Sequence, residues 1–311
     1  EVAVFLADAA ADELAALAAA LVAPRPPIAR WLIFHRDEKV TAARWVALAR
    51  HHLADLAPGA PFGGGTNAYF TELNRERPAL APLDLVAYSI NPQVHAFDDA
   101  SLMETLACQA TTVASARQFT GDRPLAISPL TLRLRFNPNA TGPEADGPPG
   151  ALPFAVDPRQ MSLFGAAWTV GSLAALAASG VASATYYETT GPRGVIETAD
   201  GAPWAAFRSL PGGAFPLYHA LADAGEFAGG EVLGVAVGDR LGAAALALRQ
   251  GGRLRVLVAN LRPVAQRLTL RLPAAAVAVR LLDETNAEAA MRSPEAFRAR
   301  AGAGCPVPGR G

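Results

Sequence analysis

Two glutamates stand where this sequence turns from apolar run to polar loop. Glu72 lies in YFTELNR, just past Gly63, Gly64 and Gly65, and Glu188 ends the run ATYYE between Tyr187 and Thr189. A carboxylate at the carboxyl end of a buried strand is positioned to act on a ligand as acid or base. The plainer alternatives are a capping or surface carboxylate for Glu72 and an ion pair with Arg193 for Glu188. His95, in SINPQVH, follows another apolar run and lies beside Asn91 and Gln93. It reads either as a hydrogen-bonding structural histidine or as a proton-transfer group. His35 also closes an apolar run, although the charged stretch Arg36 to Lys39 after it reads equally as a solvated turn. Arg133, Arg135, Asn137 and Asn139 are interleaved in TLRLRFNPNATGP. Such a set clamps an anionic or polyhydroxylated ligand, or else supplies the asparagines that a turn needs.

These residues need elements to hold them, and the chain alternates strand and helix. Strand-like runs are Val2–Leu6, Arg30–Phe34, Pro61–Gly64 (a short, weak one), Leu85–Ser89, Leu125–Ser128 and Ala182–Tyr187. Helical spacing of leucine and alanine fills Asp12–Val22, Thr41–Leu56, Asp99–Phe119, Gln160–Ser179 and Phe215–Ala224. An unusually long loop, Pro129–Val156, is expected to carry function or to cover something. Strand and helix in alternation imply a parallel sheet with right-handed crossovers. Uniform short strands suit an α/β fold of the (β/α)8 TIM-barrel type, with six of eight strands legible and the first two expected before Glu1. The pattern changes near Gly229. EVLGVAVGD, LGAAALALRQ, GRLRVLVANLRP, QRLTLRLP and VAVRLLDETN are strand-like runs split by Gly, Asn and Pro turns, which predicts a small antiparallel β-sandwich. The expected organisation is a barrel over 1–228, a β domain over 229–290 and a loose tail over 291–311.

Composition excludes several classes. The 27 Lys and Arg balance 28 Asp and Glu for a net charge of −1 across 311 residues, so no basic nucleic-acid surface is present. The longest apolar runs, such as Leu14–Ala23, are short and alanine-rich, so no membrane span is expected. Cys108 and Cys305 form no disulfide framework, which points to a reducing, cytoplasmic setting. No GxSxG elbow is present, GGGTN is followed by no Lys-Ser or Lys-Thr, and no histidine pair has zinc-helix spacing. No cofactor and no metal are therefore expected. The residues carry no signal of oligomeric state.

The ordered set GGGTNAYFTELNRERP, SINPQVHAFD, SPLTLRLRFNPNATGP, ATYYETTGPRG and PLYHALAD resembles the D-apionate lactonase family, over Glu1 to about Asn286. The resemblance implies a barrel related to glycoside hydrolases, with one small β domain before it and another after it. It also implies opening of D-apionolactone to D-apionate in catabolism of a branched pentose.

Lactone hydrolysis needs a base for water, a stabiliser for the oxyanion and an acid for the ring oxygen. Glu188, Glu72 and His95 are the expected catalytic residues. Asn74, Asn91, Gln93, Arg135, Asn137, Tyr187 and His35 are the expected substrate contacts. Two rivals remain open: a glycosidase using Glu72 and Glu188 as its carboxylate pair, and a non-catalytic sugar-binding protein.

Overall fold

The computed structural model describes residues 1–142, 147–272, 276–300 and 302–306. Its first part alternates as expected. In chain order the elements are β1 (Val2–Leu6), α1 (Ala10–Val22), β2 (Trp31–His35), α2 (Ala43–Leu53), β3 (Phe62–Tyr69), α3 (Phe70–Arg75) and β4 (Leu85–Ile90). There follow α4 (Asp99–Glu104), α5 (Leu106–Thr120), β5 (Leu125–Leu130), α6 (Leu163–Ala177), β6 (Ser183–Tyr186) and α7 (Pro216–Gly225). Strands β1 to β6 form one sheet in sequence order, every neighbouring pair parallel. The sheet curls: Ser128 of β5 donates to the Glu1 carboxylate at 2.5 Å, and Arg30 reaches Ser183 of β6. This is the TIM-barrel architecture, with the six strands the sequence predicts.

The two faces of the sheet sort by residue parity. Trp31 and Ile33 of β2 and Val86, Tyr88 and Ile90 of β4 join the large outer core under the helices, with Leu14 of α1 and Val46, Ala49 and Leu53 of α2. Leu32, Phe34, Leu85, Ala87 and Ala126 meet on the inner face instead. The three glycines are wall residues of β3. A Cβ on Gly65, whose φ is +138°, would stand 2.2 Å from the Ala87 carbonyl oxygen, so only glycine lets β3 and β4 approach there. The glycine stretch therefore extends a strand predicted as weak into an eight-residue one, Phe62–Tyr69.

The helix predicted over Asp99–Phe119 is two helices. The Asp98 side chain caps the first by accepting from the Ser101 amide at 2.9 Å, and the chain bends at Thr105 before α5 begins.

The remainder comprises β7 (Glu231–Leu233), β8 (Ala243–Gln250), β9 (Arg253–Asn260), β10 (Ala276–Val279), α8 (Ala287–Arg292), α9 (Pro294–Ala299) and β11 (Ala303–Pro306). Strands β7, β8 and β9 form one antiparallel sheet, and β10 and β11 form another. Two expectations change here. The run QRLTLRLP pairs with no strand among the described residues; Leu268 and Leu270 stand exposed, and Gln266 instead donates to the Gly242 carbonyl at 2.7 Å. The chain after Arg292, predicted loose, folds as α9 and β11, because Phe297 buries its ring and Arg298 enters a charged cluster with Asp223. Residues 301 and 307–311 of that tail, and 143–146 of the long loop, lie outside the described residues. Among the described residues no helix is long and apolar enough to cross a membrane.

Candidate active site

Parity carries polar side chains to the carboxyl edge of the sheet. On β4, Leu85 and Ala87 face inward, and Ser89 and Asn91 continue that row beyond the apolar part. Asn67, Ala68 and Tyr69 at the end of β3 and Thr131, Leu134, Arg135 and Phe136 after β5 complete a small cleft, open to solvent. The Asn91 Oδ1 is buried without a hydrogen-bond partner. An orphaned buried acceptor costs about 1–3 kcal/mol, which a ligand hydroxyl would recover.

Arg135 is the charged wall of this cleft. Its guanidinium donates to the backbone oxygen of Asn67 and, at 2.9 Å, to the Asn67 side-chain oxygen. Burial pushes its pKa down to about 10, the neighbouring Arg193 cation adds to the fall, and Glu188 opposes it. Arginine at that value is still charged at neutral pH. Glu188 itself, half exposed, pairs with Arg193 at 2.5 Å. The ion pair weighed for Glu188 from sequence is thus present, and it lies beside the cleft rather than away from it. The ring next to Glu188 turns into the core.

That ring is Tyr187. The residue lies in the left-handed region at φ 57°, which bulky side chains rarely adopt and which recurs at functional sites. Its hydroxyl bonds to Thr169 Oγ1 at 2.7 Å inside the helix layer, and burial pushes the phenol pKa up. Tyr187 was expected to touch substrate; it anchors the strand end instead.

Two more expected site residues, His35 and Gln93, are committed to protein partners. His35 has the parity of Trp31 and Ile33, so it points outward. It stacks on Trp45 at 4.3 Å, with one ring nitrogen 3.2 Å from the Ala7 carbonyl and the other accepting from the Asp37 amide. Gln93 is fully buried. Its amide donates to Leu132 O and Asp157 Oδ2, both at 2.5 Å, and its oxygen accepts from Arg159 at 3.0 Å. It braces the β4 and β5 loops rather than lining the cleft. The Asp157 carboxylate in this knot would be raised by burial, but hydrogen bonds from Arg159 and Gln93 outweigh that and hold it below its ordinary range.

Glu72, 2 % exposed, is boxed in: Oε1 accepts from Arg75 at 2.9 Å and Asn139 at 3.1 Å, while Oε2 lies 3.6 Å from the Lys39 ammonium. The two glutamates share no hydrogen-bond or ion-pair partner among the described residues. Asn74 is exposed and accepts from Arg77, and the exposed Asn137 accepts from the Asn139 amide at 3.0 Å, the turn role weighed for it. His95 stands exposed on the turn after β4. Among the described residues no group of three or more His, Cys, Asp or Glu is arranged to hold a metal ion.

Asn91 and Arg135 are therefore the predicted residues that meet in one cleft, with Glu188 at its charged side. Sequence reasoning missed Asn67, Tyr69, Ser89 and Thr131. Ser89 had a signal, since it lies two residues before Asn91 on the same face of a strand.

Comparison with known proteins matches residues 1–229 to the TIM barrel domain of D-apionate lactonase and residues 240–309 to that family's C-terminal immunoglobulin-like domain. A D-apionate lactonase of Brucella anthropi is 32% identical over 207 residues, covering 66% of this chain and 31% of the relative. The chain thus aligns with about a third of the length of that curated relative. Among solved structures, CelM2, a bifunctional glucanase-xylanase from a metagenome library, has a TM-score of 0.49 at 11% identity, covering 81% of this chain and 57% of that one. A GH39 enzyme from Xanthomonas axonopodis pv. citri has a TM-score of 0.47 at 12% identity, covering 86% and 55%. Neither likeness bears on the reaction.

Proposed function

We propose, on the premise that this chain belongs to the D-apionate lactonase family, that it is a cytoplasmic hydrolase that opens D-apionolactone to D-apionate at the carboxyl-edge cleft. The observation that carries this reading is the family match across residues 1–229. The cleft supports it chemically. Arg135 supplies a fixed cation at one wall, and the Glu188–Arg193 pair supplies a carboxylate whose charge reaches that same cation. Ester opening needs this combination. Glu188 takes a proton from water as the water's oxygen adds to the lactone carbonyl, and Arg135 stabilises the negative charge that develops on the carbonyl oxygen. The tetrahedral intermediate then collapses, the carbonyl–ring oxygen bond breaks, and the leaving alkoxide needs a proton. His95, exposed on the turn after Asn91, donates that proton and regains one from solvent, while Glu188 passes the proton it took from water to solvent. Asn91 Oδ1 accepts from a sugar hydroxyl and so fixes the ring.

Glu72 has a different role in this reading. With both oxygens engaged by Arg75, Asn139 and Lys39, it holds the long loop after β5 against the β2 and β3 loops. The test is pH-stat titration with D-apionolactone beside a panel of aryl glycosides. Proton release with the lactone alone is the expected result. Glycoside cleavage without lactone turnover would overturn the reading in favour of a glycosidase, and tight sugar binding without turnover would favour a binding protein.

A further inference from the structure

The segment that carries Glu188 runs from β6 to α7 without helix or strand, yet it is layered. Glu188 N–H donates to Arg193 O at 3.1 Å, and Val195 and Ile196 donate to Thr189 O at 3.2 and 3.1 Å. One layer out, Glu197 N–H donates to Gly213 O and Phe215 N–H to Val195 O, both at 2.9 Å, with Ile196 bridged antiparallel to Ala214. The outermost layer is closed by another part of the chain: Ala214 N–H donates to the carbonyl of Met291, on α8, at 2.9 Å. From Met291 to Glu188 the backbone is thus tied layer by layer.

What holds α8 and α9 there is a charged cluster at the end of α7. Arg298 reaches Asp223 at 3.0 Å and also pairs with Glu226, and it donates to the His219 carbonyl at 3.3 Å. Arg280 joins at Asp223, and the buried Phe297 ring packs edge-on to His219 at 4.8 Å. Helix α7 begins where the Glu188 loop ends, so the loop is gripped from both its end and its outer edge.

We propose that the α8–α9 pair is a positioning element for the Glu188 loop, and that Arg298 is the positioning residue that locks it in place. The C-terminal domain is then a working part of the site and not an appended module. The inference rests on the reading of Glu188 as the base, and its test separates the two.

Hydrogen exchange would be followed in the full chain for wild type, Arg298→Met and Arg298→Lys, together with kcat and KM on D-apionolactone. In Arg298→Met the amides of Ile196, Glu197, Ala214 and Phe215 should exchange about tenfold faster while β2 to β5 keep their protection. The lysine variant should recover most of that protection. Turnover should fall by about tenfold with KM within about twofold, the split of a misplaced catalytic group. Unchanged exchange in the loop would overturn the proposal. So would a uniform loss of protection across β2 to β5, which is the signature of a merely structural residue. If the wild-type protein fails to open the lactone, the assigned reaction falls, and the exchange readout alone still decides the coupling.

Discussion

Replacing Glu188 by glutamine tests the chemistry at its centre. Glutamine keeps the shape of the side chain and an oxygen that can accept from Arg193, but it cannot take a proton from water. Loss of a general base costs at least about 100-fold in turnover, equivalent to about 2.7 kcal/mol of transition-state stabilisation. The structural cost is much smaller. The Glu188–Arg193 pair is half exposed, and exposed ion pairs contribute about 0–1 kcal/mol, so the melting temperature should hardly move. The change also leaves Arg193 and Arg135 without the carboxylate that offsets them. Their joint positive field should then bind the product carboxylate more tightly, and product inhibition should rise as turnover falls. The assay is pH-stat titration of D-apionolactone at several pH values, with a thermal melt on the same preparation. Turnover within about twofold of wild type would refute the assignment of Glu188 as base. A loss of turnover matched by a loss of folding would refute the claim that its role is chemical.

Other outcomes follow from the same geometry. Arg135→Ala should lower kcat by about 10²–10³-fold, the cost of removing an oxyanion donor, with Arg135→Lys recovering part of it; steady-state kinetics of both variants checks this. Asp157→Asn should cost about 3 kcal/mol at neutral pH by breaking a buried charged network, measured by urea unfolding. The native carboxyl of Asp157 titrates below its ordinary range, so its contribution is fully present above the unfolded value of about 4 and fades as pH falls through the native one. The gap between wild type and variant should therefore narrow below about pH 4. Gly65→Ala would put a Cβ 2.2 Å from the Ala87 oxygen at a φ of +138°, and a drop in Tm on the order of 10 °C is expected from a few kcal/mol of strain.

How much was legible depends on whether a face of each element meets water. The order of the first six strands and of helices α1, α2, α6 and α7 could be read because apolar periodicity switches sharply at each loop. Strand β3 was underestimated because its glycines have low strand propensity, and only the approach of Ala87 explains why they are strand residues at all. The run QRLTLRLP alternates like a strand and pairs with none among the described residues, since a period-2 pattern says which face would be buried and nothing about whether a neighbouring edge exists. The tail after Arg292 looked loose from its Arg, Pro and Gly content, yet Phe297 and Arg298 find partners in His219 and Asp223 of α7, far earlier in the chain.

The candidate site shows the same limit at the level of single side chains. In β2 every residue of WLIFH is buried, as is usual when both faces of a parallel strand are covered. Such a run has no alternation to reveal which parity faces inward, so His35 looked as available as any residue at a strand end. Its stacking on Trp45 follows from belonging with Trp31 and Ile33, which the sequence of that strand alone does not show. In β4 the parity is visible. Ser89 and Asn91 lie in register with Leu85 and Ala87, and polar residues that continue an inward row past its apolar part are turned toward the mouth of the barrel. Gln93 has that parity too, but it falls after Pro92, where the strand has ended and period 2 no longer applies. Its amide consequently runs sideways into Asp157 and Arg159. The rule for finding the site is therefore to follow inward parity up to the last paired residue and one step beyond, and to expect network-forming residues after that. For β4 it selects Ser89 and Asn91 and leaves out Gln93.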